Sequence, residues 1–276
     1  MPFITNQQAA ETVDIHYQDY GTGQPVILIH GWPLSHRAWE AQVPAIVDAG
    51  FRCITYDRRG FGISSAPWES YDYSALASDL NELITQLDLT DCIIVGFSMG
   101  GGEVVRYLTD YGVGRIAKAA LVSSIIPLVK QKDDNPDGVP ENALQEIMQA
   151  LQNDRVGFLE GFLKNFYNYE QNKDKISEAQ LHYDWSIAAY ASPRATIRAA
   201  NAWAETDFRA ELKNVTVPTL IVHGDDDQIV PIETAGKQAA EGIANNQFEV
   251  ISGGPHGLNI THREQLNQLL VAFFKK

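Results

Sequence analysis

Two cysteines in 276 residues, Cys53 and Cys92, are too few for a disulfide framework or a cysteine zinc site. Both lie in short apolar runs, so each is expected to be a small buried core residue. Basic residues are scarce as well: 21 Lys and Arg stand against 35 Asp and Glu, a formal charge of −14. A chain this acidic repels phosphate backbones and anionic bilayers, so neither nucleic acid nor a membrane is an expected partner. No apolar run reaches the length of a membrane span. The first eight residues lack both the basic and the apolar part of a secretory leader, and the chain reads as cytoplasmic. Apolar side chains, by contrast, make up 45% of the chain and aromatics 10%, enough to bury a large core and to exclude disorder as the main state.

The apolar residues come in two rhythms. Continuous runs such as Val26-Ile27-Leu28-Ile29, Cys53-Ile54-Thr55-Tyr56, Cys92 to Phe97 and Ile116 to Ser123 suit strands buried on both faces of a parallel sheet. Between them, Ala38 to Ala49, Tyr73 to Leu87 and Gly101 to Tyr111 carry helical spacing. Strand and helix therefore alternate, which predicts an α/β fold with a mostly parallel central sheet flanked by helices. The alternation fails over residues 128–211. A turn-rich cluster from Gln131 to Pro140 opens helical, aromatic-rich segments without strand-like runs, and these read as an insertion over the sheet. The alternation resumes with a strand at Thr219 to His223, a helix at Glu233 to Ala244, a strand at Phe248 to Ile251 and a helix at Glu264 to Phe274. Residues 1–127 and 212–276 thus form the core.

Gly96-Phe97-Ser98-Met99-Gly100 matches Gly-x-Ser-x-Gly between a buried strand and a helix. In that setting a sharp turn exposes the serine, and only small neighbours fit. A serine needs a base. In this topology the acid and the base follow the serine in the order Asp, His. Asp227 follows the Thr219 strand, and His256 sits among glycines after the last strand. His30 and His223 also end strands, but are expected to cap them or line the core. Asp225 and Asp226 are expected to hold turn amides rather than a metal. The oxyanion donors should be the amides of Met99 and of a residue in His30-Gly31-Trp32-Pro33, where Trp32 is available and Pro33 has no N–H.

Together these motifs resemble the α/β-hydrolase superfamily, and within it the cofactor-free haloperoxidase group, also described as arylesterases and perhydrolases. The stretches that carry the resemblance are His30-Gly31-Trp32-Pro33, Asp57-Arg58-Arg59-Gly60-Phe61-Gly62, Gly96 to Glu103, Ala204 to Phe208, His223 to Pro231 and Pro255-His256-Gly257-Leu258, spread over nearly the whole chain. The resemblance implies a triad of Ser98, Asp227 and His256, with Trp32 and Met99 amides as the oxyanion hole. It also implies a helical cap over 128–211 and a small acyl pocket of Ile125, Val129, Phe162, Phe166 and Ile229. No cofactor and no metal are implied. If the group's sheet order holds, the Cys53 and Cys92 strands flank the His30 strand, about 9–10 Å apart and too far for a disulfide. The chain departs most from the group between Asn165 and Ser192, within the insertion.

The function expected on this basis is hydrolysis of small aryl or short-chain esters through an acyl-enzyme. Perhydrolysis at the same serine is expected too, and Pro33 either sets where the Trp32 carbonyl points toward peroxide or merely stiffens the loop. A lactone or γ-lactam hydrolase is the same chemistry on another substrate. A non-catalytic hydrolase-fold receptor is the rival from another class. The expected partner is a small-molecule ester, with a second copy of the chain, as a homo-oligomer, the other candidate.

Overall fold

In the computed structural model, which describes residues 2–7 and 11–276, eight strands form one sheet in the order β1-β2-β4-β3-β5-β6-β7-β8. They are β1 (Phe3–Asn6), β2 (Val13–Tyr20), β3 (Pro25–Ile29), β4 (Arg52–Tyr56), β5 (Cys92–Phe97), β6 (Ile116–Val122), β7 (Thr219–Gly224) and β8 (Asn246–Ile251). The pairings β1·β2 and β2·β4 are antiparallel, and the other five are parallel. The central strands are covered on both faces, as their unbroken apolar runs require. Because β3 to β8 run in one direction, the loops leaving Ile29, Tyr56, Phe97, Val122, Gly224 and Ile251 all emerge at one edge.

The helices are α1 (Val43–Asp48), α2 (Tyr73–Gln86), α3 (Gly100–Asp110), α4 (Glu141–Phe166), α5 (Glu178–Tyr190), α6 (Pro193–Glu205), α7 (Gly236–Gly242), α8 (Leu258–Thr261) and α9 (Arg263–Phe274). α4, α5 and α6 occupy the segment between β6 and β7. α4 is kinked at Asp154 (φ −148°, ψ 80°), whose carboxylate accepts the Gly157 N–H at 2.9 Å and so caps the second half. Ser177 and Ser192 cap α5 and α6 in the same way, and Pro193 occupies the first turn of α6.

Two helices and one strand depart furthest from expectation. The helix expected from Ala38 to Ala49 is a 3₁₀ turn at His36–Trp39 followed by α1, which starts afresh where Pro44 needs no amide partner. The helix expected from Glu233 begins only at Gly236, after a turn closed by the Thr234 N–H on the Pro231 carbonyl. β1 went unpredicted because four residues are too short a run to show a period. Cys53 on β4 and Cys92 on β5 do flank β3. Both are free, and burial pushes each thiol up to about 12.

Candidate active site

The chain reverses sharply between β5 and α3, and Ser98 sits at the reversal with a left-handed φ of 53°. Its N–H donates to the Val122 carbonyl at 2.9 Å, and its carbonyl accepts the Gly101 N–H at 3.0 Å. Two glycines make the turn feasible. A Cβ at Gly96 would collide with the Gly100 carbonyl, and one at Gly100 would come within 2.6 Å of the Ile29 carbonyl.

His256 follows β8 at the same edge, and its ring lies 5.4 Å from that of Phe97 and 4.8 Å from that of Phe166. The Gly257 N–H donates to the Phe166 carbonyl at 2.8 Å, which ties the histidine loop to the end of α4. His256 Nδ1 is 2.7 Å from Asp227 Oδ2, and His256 Nε2 is 2.9 Å from Ser98 Oγ. Facing a carboxylate, Nδ1 carries the proton. Nε2 is left as an acceptor for the Ser98 hydroxyl. All three side chains are buried.

The other Asp227 oxygen accepts the N–H groups of Ile229 at 2.9 Å and Val230 at 2.8 Å. His223 Nε2 lies 2.8 Å from the Val230 carbonyl and 3.3 Å from Asp227 Oδ2. Burial acts to raise the Asp227 carboxyl, but the charges and hydrogen bonds of His256 and His223 outweigh it and hold it below the usual carboxylate range. His223 therefore does more than cap its strand. Asp225 accepts the Gly253 N–H at 2.6 Å, as a turn residue should. Asp226 instead holds side-chain amides, from Asn168 and Gln228, while the amide-binding role falls to Asp227.

Among the described residues, neither the Trp32 nor the Met99 amide donates to a backbone carbonyl. A Cβ at Gly31 would lie 3.1 Å from Ser98 Cβ, so the loop after β3 passes directly over the serine. The Trp32 side chain reaches away into the insertion. Its indole N–H donates to the Thr196 carbonyl of α6 at 2.9 Å, and its ring packs on Phe162 and Trp203. The Trp32–Pro33 peptide is cis.

Beneath this loop lies a buried polar chain. His30 Nε2 accepts the Arg58 N–H at 3.0 Å, and His30 Nδ1 lies 2.9 Å from the Gly31 carbonyl. Arg58 donates to the His30 carbonyl at 2.6 Å and to Glu103 of α3 at 2.6 Å, while Tyr56 donates to the second Glu103 oxygen at 2.6 Å. Burial and the Arg58 charge push His30 down to about 3.

A cavity of ≈ 20 Å³, about the room one water needs, opens at Ser98 and His256 between Trp32, Ile125, Phe162, Trp203, Ile229 and Val230. An apolar cavity of ≈ 710 Å³ adjoins it across Phe162, Trp203 and Ile229, under α4. Of the expected pocket residues, Ile125, Phe162 and Ile229 line the inner cavity. Val129 lines the outer one, and Phe166 packs on the His256 ring instead. Trp203 and Val230 were not singled out in the sequence. Trp203 reads there as one more aromatic in a helical segment, and nothing in its spacing distinguishes it.

Among the described residues, His16, His36 and Asp57 lie close enough to share a metal ion. The Asp57 carboxylate is already filled. It accepts from both imidazoles, at 3.1 and 2.7 Å, and from the His36 and Ile63 amides at 2.8 and 3.1 Å. The cluster reads as a brace between β2, β4 and the loop after β3 rather than a vacant ligand set.

The chain matches the family model described as alpha/beta hydrolase fold over residues 24–263. It is 45% identical to a putative non-heme chloroperoxidase of Synechocystis over the whole of both chains. It is 36% identical to a bifunctional esterase/perhydrolase of Acinetobacter calcoaceticus, again over the whole of both. The crystal structure of a bromoperoxidase from Bacillus anthracis superposes with a TM-score of 0.96 at 47% identity, covering 100% of this chain and 99% of that one.

Proposed function

We propose, from the premise that this chain belongs to the alpha/beta hydrolase fold family, that it is a serine carboxylester hydrolase with perhydrolase activity at the same serine. The observation that carries this reading is the unbroken hydrogen-bond chain from Ser98 Oγ through His256 to Asp227. Ser98 Oγ attacks the ester carbonyl as its proton passes to His256 Nε2. Charge gathers on the carbonyl oxygen, where the Trp32 and Met99 amides receive it. Collapse breaks the bond to the alkoxy group, which leaves as the alcohol with the proton from His256. Water then attacks the acyl-serine, gives a proton to His256 and releases the acid, and Ser98 recovers its hydrogen. Hydrogen peroxide in place of water releases a peracid by the same steps. The peracid can oxidise bromide to hypobromous acid in solution, becoming the carboxylate, so halogenation needs no cofactor.

The cavities support small substrates. The inner one, with room for about one water, keeps the acyl side small, and the apolar outer one suits an aryl or alkyl group. Helices α4 and α6, within residues 128–211, act as the part of the cap that walls both, through Phe162 and Trp203. The test is hydrolysis of p-nitrophenyl acetate by wild type and Ser98→Ala. Loss of the nucleophile should lower kcat by about six orders of magnitude with the fold intact by circular dichroism. Activity within about tenfold of wild type would overturn the reading.

A further inference from the structure

The two oxyanion donors belong to different elements. Trp32 lies in the loop after β3, and Met99 caps α3 after β5. A hole made this way works only if something fixes the distance between them. The Trp32 N–H shares a peptide plane with the Gly31 carbonyl, so whatever holds that carbonyl aims the N–H.

We infer that His30 is a positioning residue for the oxyanion hole, aiming the Trp32 amide through the Gly31 carbonyl and tied by Arg58 and Glu103 to the helix that carries Met99. The proton position on His30 follows from its partners. Nε2 accepts a backbone N–H, from Arg58 at 3.0 Å, so it carries no hydrogen. The hydrogen therefore sits on Nδ1 and is donated to the Gly31 carbonyl at 2.9 Å. That carbonyl also accepts the Leu34 N–H at 3.0 Å, which fills its second lone pair and fixes the plane from two directions. His30 itself is gripped twice by one residue, through the Arg58 backbone N–H and through the Arg58 guanidinium on the His30 carbonyl at 2.6 Å. The same guanidinium donates to Glu103, four residues along the chain from Met99 on α3. Every link is buried, so no water can substitute for a lost bond without a cavity. His30 is kept neutral by burial, and a neutral ring is the form that can accept on one side and donate on the other.

This inference rests on the serine-esterase reading, and the test separates the two. His30→Gln offers an acceptor toward the Arg58 N–H but no donor at the Nδ1 position. His30→Asn places an amide N–H there. Rates are measured against p-nitrophenyl acetate per active site titrated, alongside the affinity of a trifluoromethyl ketone, whose serine adduct places an oxyanion in the hole. His30→Gln should lower kcat by about 30- to 100-fold with KM changed less than about threefold, as for a misplaced oxyanion donor. Ketone affinity should fall by a similar factor, and His30→Asn should recover at least about tenfold of both. A purely structural role would cost Tm in both variants alike and leave ketone affinity alone. Equal losses in the two variants, or a kcat loss without an affinity loss, overturn the inference. Should His30→Gln not fold, Glu103→Gln carries the test. It should lower kcat and ketone affinity together, by about fivefold, and an unchanged affinity overturns the inference. If Ser98→Ala keeps its activity, the esterase reading falls and takes this inference with it. If Ser98→Ala is dead while His30→Gln matches wild type, only the positioning role falls.

Discussion

The Asp227 carboxylate lies between two histidines, and only one of them also reaches Ser98. Replacing Asp227 with Asn puts an amide donor beside His256 Nδ1 and favours the tautomer that cannot accept from the serine. Asp227→Asn should lower kcat by about four orders of magnitude. Asp225→Asn, at a side chain that accepts the Gly253 N–H, should cost less than about tenfold. The reverse order would mean that Asp225 is the acid partner. Because its histidines hold Asp227 ionised far into the acid range, a fall of kcat/KM on mild acidification is not the loss of this carboxylate's charge. A kcat/KM still level at about pH 4 would remove the histidine base. Pro33 follows Trp32 and limits the backbone that sets the Trp32 carbonyl, the acceptor we propose for the second O–H of peroxide. Pro33→Leu should therefore lower perhydrolysis more than hydrolysis. An unchanged ratio of the two rates at equal peroxide would exclude that role.

α5 carries a buried acid that neither oxyanion donor nor nucleophile uses. Asp184 accepts the Tyr167 hydroxyl at 2.7 Å, and Tyr167 packs against Gly257 beside His256. Burial pushes Asp184 up to about 6, and the hydrogen bonds from Tyr167 and Gln180 recover only part of that. The fold thus prefers the protonated acid. Its contribution to stability is full below the unfolded value near pH 4 and is lost as pH rises through about 6. Wild type should lose up to about 3 kcal/mol relative to Asp184→Asn between pH 4 and pH 7, read from urea unfolding at the two pH values. A pH-independent difference would contradict it. What the sequence reveals at this scale follows from period and punctuation. Ser98, Asp227 and His256 stand where apolar runs end in polar or glycine-rich turns, so they are legible before any coordinates. The cavity wall is not. Phe162 and Phe166 are one helical turn apart on α4, yet one lines the inner cavity and the other meets the His256 ring edge to face. Trp203 joins them from α6, and only the packing of the two helices decides that. The Glu103–Arg58–His30 chain hides for the same reason, since its members lie on α3, after β4 and after β3.

Over the whole molecule, the −14 charge sets up a field that no single pair controls. A cationic ester should show a higher kcat/KM than its anionic counterpart of like shape at low salt. The gap should close as ionic strength rises and the Debye length shrinks from about 30 to about 3 Å. A gap insensitive to salt would trace the preference to the cavity instead. The backbone at Ser98 bears on the molecule as a whole too. A φ of 53° suits glycine and burdens any residue with a Cβ, at roughly 1–2 kcal/mol. Ser98→Gly should therefore be more stable than Ser98→Ala by about 1 kcal/mol, seen as a higher Tm, and both should be inactive. An equal or lower Tm for the glycine variant would mean that the turn bears no such burden. With Ser98 as the proposed nucleophile, the hydroxyl attacks from a backbone that its own residue type disfavours, so a protein library selected for thermal endurance alone should drift to glycine at position 98 and lose its chemistry first.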